Sequence, residues 1–175
     1  MRRSAFFVPL FVFEQTGQMS YNSKKNRIFA KTNKDCNMNI NIEERVLKAQ
    51  ELFASGYSCS QAVAVAYSDV CGVDEAFMAQ ISMPFGGGIA RMHEVCGCVC
   101  SMALLSAFIV PAPNPQDITQ VQKNRMLTKA MAERFRQEYG DIVCRNLLQN
   151  KEKHSCADFV AFAARVVGEA VSSEQ

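Results

Sequence analysis

From Ile42 onward the apolar positions recur at helical spacing. Val46, Leu47, Leu52 and Phe53 form one face, and Gly56 stops that first helix. Ser58 is placed to cap a second helix, which carries Val63, Ala66, Tyr67 and Val70 and runs to Gly72. Asp74 caps a short third helix through Phe77, Met78 and Ile81, broken by Pro84. Phe85-Gly86-Gly87-Gly88 then reads as a loop with wide backbone freedom.

The next segment, Val95 to Val110, is apolar almost throughout and carries no charge. At that length it is a buried central helix and not a membrane span. Pro111, Pro113 and Pro115 end it. Asp117 starts a long amphipathic helix through Ile118, Val121, Leu127, Met131 and Phe135, closed by Gly140. Two further helices follow, at about Asp141–Gln149 and Ser155–Val171. No strand pattern and no internal repeat stands out. The pattern predicts an all-α fold, a compact multi-helix bundle round the buried central helix, as one domain over residues 41–172.

Residues 1–40 do not continue the pattern. Arg2-Arg3 and the short apolar run Ala5–Phe13 resemble the start of an exported leader, but no small-residue cleavage site follows Phe13. Glu14 to Asn41 is polar and rich in Asn, Lys and Ser, the composition of a disordered extension. Met38 would make a natural chain start. A disordered extension is the preferred reading, with an exported leader as the alternative.

A length of 175 residues suits one domain with a tail. The apolar fraction is 49 % and the charged fraction 21 %, ordinary for a globular protein. A net charge of +2 with scattered basic residues leaves nucleic-acid binding without an electrostatic footprint.

Cysteine changes the picture most. There are eight, and Cys96, Cys98 and Cys100 fall within one five-residue run. Thiols bind soft metals, carry electrons and attack electrophiles. They sit inside helical patterns rather than in loop-rich spacing, which favours a reducing cytoplasm over a secreted disulfide scaffold. On a helix Cys96 and Cys100 share a face while Cys98 points elsewhere. Cys59 and Cys96 are expected near helix starts, where orphan N–H groups favour a thiolate. Gly97 removes a side chain beside Cys96, so another backbone or a ligand can approach. If the bundle closes round the central helix, Cys59, Cys96, Cys144 and Cys156 converge. For Cys36 and Cys71 the plain reading, a small buried hydrophobe, carries most weight. No Cys-x-x-Cys pair exists, which leaves a thioredoxin-like motif or a zinc ribbon unsupported, and no haem is expected.

At these residues the chain resembles a family called C_GCAxxG_C_C, named for its motif rather than for a settled activity. Gly56-Tyr57-Ser58-Cys59-Ser60-Gln61-Ala62 resembles its first element. Phe85-Gly86-Gly87-Gly88-Ile89 through Val95-Cys96-Gly97 resembles the second. Tyr139-Gly140-Asp141-Ile142-Val143-Cys144 resembles the third, and Cys156 supplies the last cysteine. The similarity spans roughly residues 42–172. Three departures stand out: Cys98 replaces the family's usual alanine, Ser101 replaces its second glycine, and Cys100 is extra. The loss of that glycine puts a tightly apposed backbone there in doubt. A similar domain occurs in split-Soret cytochromes c, which carry an iron–sulfur cluster. The resemblance implies a redox role, with cluster binding as the sharper expectation.

Three functions follow as expectations. The first is electron transfer through an iron–sulfur cluster, with Cys59, Cys96, Cys144 and Cys156 as ligands, Cys98 and Cys100 as additional candidates, and Gly86, Gly87, Gly88 and Gly97 lining the cofactor. The second is a metal-free thiol–disulfide oxidoreductase in which Cys59 or Cys96 attacks. The third is a non-redox helical domain with structural zinc, for which only His93 and His154 supply imidazoles; spacing puts His93 on one helical face with Cys96. Arg91, Glu94 and Asp141 are candidates to support such a site, with a solvated surface role as the default. Whether the protein is an oxidoreductase or a simple electron carrier, its redox partner protein and its oligomeric state are not encoded in any motif.

Overall fold

The structure is a computed structural model that describes residues 40–150 and 153–174. The expected extension or leader over residues 1–40 and the buried role expected for Cys36 lie outside the described residues, Ile40 apart. Among the described residues seven α-helices follow one another: α1 (Ile42–Ala54), α2 (Cys59–Val65), α3 (Glu75–Ser82), α4 (Gly97–Ile109), α5 (Ile118–Tyr139), α6 (Cys144–Leu147) and α7 (Cys156–Ser173). Among the described residues there is no strand, only one isolated antiparallel bridge between Val95 and Val143. The fold is all-α. No helix of the described residues is long and apolar enough to cross a membrane.

The helix starts follow local chemistry. Asn41 accepts from the Glu43 and Glu44 N–H groups at 3.1 and 3.4 Å. Ser58 and Gln61 form a capping box at α2, as do Ser155 and Asp158 at α7. Asp74 caps α3 and Asp117 caps α5. At the far end of α5, Gly140 takes the left-handed conformation with φ 82° that ends the helix.

Three elements are shorter than periodicity predicts. The second helix ends at Val65, not at Gly72, because Tyr67 and Ser68 donate to the carbonyls of Ala64 and Val65. Such i→i−3 bonds tighten the chain into turns. The central helix begins at Gly97, not at Val95, because the Cys96 N–H donates to the Ile142 carbonyl at 2.8 Å. Asp141 accepts from the N–H groups of Ile142 and Val143 at 2.6 and 3.0 Å, so those residues stay extended and α6 is a single turn.

The core is shared by three helices. α4 buries Cys98, Val99, Met102 and Leu105. α2 buries Ala62 to Val65, and α7 buries Phe159, Val160, Ala163, Ala164, Val166 and Val167. α1 packs on α7, and α5 packs on α4 and α7. Each large aliphatic buried this way contributes about 1.5–3 kcal/mol relative to exposure. The Tyr67 hydroxyl donates to the Ala164 carbonyl at 2.6 Å and ties the end of α2 to α7.

Candidate functional site: a cysteine-lined cavity

Four helices begin at one place. Cys59 is the first residue of α2, Cys144 of α6 and Cys156 of α7, and Cys96 is the N-cap of α4. All four thiols line a single cavity of about 210 Å³, together with Cys98. Leu147, Leu148 and Phe159 form an apolar wall, while Arg91 and His93 stand on its exposed side. A helix start presents unpaired N–H groups and the positive end of the macrodipole, and backbone N–H groups there help to lower the thiols of Cys59 and Cys96.

The thiols are not equivalent. Hydrogen bonding from Cys98 is the largest influence on Cys59 and lowers it to about 6, with burial opposing and the N–H groups of Gly87 and Ser60 assisting. Cys98 likewise lowers Cys96, against burial and the charge of Cys59. Cys98 itself is held well above the ordinary thiol value by those same two hydrogen bonds and by complete burial. It therefore keeps its proton, and its one S–H can serve either neighbouring sulfur.

This corrects the expected roles of the extra cysteines. Cys98 was expected to point away from Cys96, with Cys100 on the shared face. Helical spacing does not apply across a residue that is still extended: Cys96 has φ −54° and ψ 133° and precedes the helix. Cys98 therefore joins the cavity. Cys100 does not line it; its thiol points toward the Val95 carbonyl at 3.8 Å, and burial raises it to about 11.

The glycines act mainly as room for sulfur. A Cβ on Gly97 would lie 2.7 Å from Cys59 Sγ, and one on Gly88 would lie 2.7 Å from Cys144 Cβ. Gly87 lines the cavity itself. Gly86 instead packs against Ser58, where a Cβ would meet the Ser58 Cβ at 2.7 Å, and it is not part of the lining. Ser101, at the position of the lost glycine, is fully buried and donates to the Ser60 carbonyl at 2.7 Å. Close approach of α2 and α4 thus survives that departure.

The segment after the glycines is more unusual than a free loop. Gly87, Gly88, Ile89, Ala90 and Arg91 run consecutively at φ 65, 71, 60, 50 and 63°, and His93 follows at 58°. Left-handed backbone costs an L-residue about 1–2 kcal/mol, so this run stores strain beside the cavity. It is held by the Ala90 N–H on the Pro84 carbonyl at 2.8 Å, and by those of His93 and Glu94 on Gly87 and Gly88 at 3.1 and 3.0 Å. The turn brings His93 Nδ1 to 3.6 Å from Cys144 Sγ. The expectation that His93 shares a helical face with Cys96 fails, because the backbone there is not helical. His154 is not in the lining; it lies edge-on to Tyr139 at 4.9 Å. Glu94 pairs with Arg145, and Asp141 spends its oxygens on the turn before Cys144 and on Asn146.

Among the described residues, no three or more His, Cys, Asp or Glu side chains are grouped so that they could hold a metal ion. Residues 57–170 match the family described as "Putative redox-active protein (C_GCAxxG_C_C)". Comparisons with curated proteins and with solved structures find no match.

Proposed function

The chain belongs to the redox-active C_GCAxxG_C_C family, and from that premise we propose that the cavity is an electron-transfer centre. Its ligands are the thiolates of Cys59, Cys96, Cys144 and Cys156, holding an iron–sulfur cluster. The observation that carries this reading is the meeting of four thiols, from four separate helix starts, at one cavity.

The donor chemistry suits the group. Thiolates select soft metals and iron–sulfur clusters. A lone tetrahedral zinc needs all its sulfurs at about 2.3 Å from one point. A cluster spreads its ligands over several irons and so accepts thiols set further apart. When bound, it supplies one-electron transfer at a potential set by its surroundings.

The protein's own residues do the rest. Leu147, Leu148 and Phe159 give the sulfurs an apolar wall. The Cys98 thiol and the Gly87 N–H donate to Cys59 and stabilise its charge, a tuning of ligand basicity from outside the metal. Arg91 places a positive charge on the open side. On this reading the protein is an electron carrier serving a partner protein in the cytoplasm, where thiols stay reduced.

Anaerobic reconstitution with ferrous iron and sulfide tests it. The expected product is brown, with broad visible absorption that bleaches on reduction. A protein that stays colourless would contradict the reading.

A further inference from the structure

Cys98 is the cavity thiol that the proposed ligand set leaves over. It is completely buried and lines the same cavity as Cys59 and Cys96. α4 presses directly on Cys59 here, since a Cβ at Gly97 would fall 2.7 Å from Cys59 Sγ. Of these three thiols only Cys59 is partly exposed; Cys96 and Cys98 are buried. The cavity opens beside Arg91 and His93, both exposed.

We propose that Cys59 and Cys98 are an oxidisable pair that closes to a disulfide between the starts of α2 and α4, withdrawing Cys59 from metal binding. The pairing itself stands on the cavity that both thiols line and on the close approach of the start of α4 to the Cys59 sulfur; its effect on metal rests on the cluster reading above. The oxidant is a low-molecular-weight disulfide that enters the cavity. The Cys59 thiolate attacks one of its sulfurs, forming a mixed disulfide and expelling one small thiolate. Cys98 then attacks the Cys59 sulfur, and its proton leaves with the second small thiol. Two electrons pass from the protein pair to the small disulfide, and two protein thiols are lost. Cys96 is the poorer partner. It lies two residues from Cys98 in the same chain, and its backbone is fixed by the bond to Ile142. A bridge across two helices needs no such small ring.

The test uses the full chain, reduced and iron-free, incubated with glutathione disulfide. Thiol counting, tandem mass mapping and iron uptake are then read together. The expected result is loss of two thiols, a Cys59–Cys98 link, and iron uptake slowed about tenfold or more until dithiothreitol restores it. Cys98→Ala should stop at a mixed disulfide on Cys59 and lose one thiol only; Cys98→Ser gives the same readout should the alanine variant fail to fold. A bridge mapped to another pair, or one that closes as readily without Cys98, overturns the proposal. A Cys59–Cys98 link in a protein that takes up no iron even when reduced leaves the pair standing and overturns the cluster reading instead.

Discussion

Gly97 and Cys59 touch through a missing side chain: a Cβ on Gly97 would sit 2.7 Å from Cys59 Sγ and 2.9 Å from the Phe85 carbonyl. Neither neighbour is free to move. Phe85 ends a 3-10 turn, and Cys59 opens a buried helix. Gly97→Ala should therefore destabilise the fold by roughly 1–3 kcal/mol, as overpacking does. Denaturant unfolding measures this. A change within 0.5 kcal/mol would mean α2 and α4 are less tightly apposed than described.

The pH dependence of Cys59 follows from its hydrogen bonds. Lowered from 9.0 to about 6, it is a thiolate in the folded chain at neutral pH and a thiol in the unfolded one. Its contribution to stability is thus complete above pH 9, shrinks as the pH falls toward 6, and is gone below that. Alkylation of Cys59 in the iron-free protein should be half-maximal near pH 6. Cys98→Ala, which removes the main donor, should move that midpoint upward. A midpoint near 9 in the unaltered chain would refute the arrangement.

The left-handed run offers a gain in stability. Ala90 is exposed at φ 50°, a conformation in which glycine carries no Cβ penalty. Ala90→Gly should stabilise by up to about 1 kcal/mol, raising Tm by roughly 2–4 °C. A fall in Tm would show that the run is not strained.

Ser58 holds the start of α2, and with it Cys59. Its hydroxyl accepts from the Gln61 N–H while the Gln61 side chain accepts from the Ser58 N–H at 3.1 Å. Ser58→Ala should cost about 1 kcal/mol, read by thermal unfolding. Gln61→Ala should cost a comparable part of it, since the two bonds form one unit.

These features differ in how far the sequence announces them. The helix starts at Ser58, Asp74 and Asp117 were legible because a cap is a local device: a short polar side chain just before an apolar period. The all-α architecture followed from the same periodicity. The place of Cys98 was not legible, because it depends on Cys96 being extended, and that in turn on a hydrogen bond to Ile142, 46 positions along the chain. The left-handed run was hidden for another reason. Ile89, Ala90 and Arg91 have no intrinsic preference for positive φ, so only the tertiary bonds of the finished fold impose it. Asp141 was noticed, yet its Asx turn shortens α6 in a way that helical spacing conceals.

The central claim is that four helix-start thiolates hold one cluster, and the most direct measurement is iron and acid-labile sulfide per chain after anaerobic reconstitution. It should be made on the unaltered protein, on single Ser variants of Cys59, Cys96, Cys144 and Cys156, and on Cys100→Ser, outside the cavity. The account predicts iron and sulfide together in the unaltered protein and in Cys100→Ser, and a marked loss in each of the other four. Iron and sulfide content that is indifferent to all four, or absent from the unaltered chain, would contradict it.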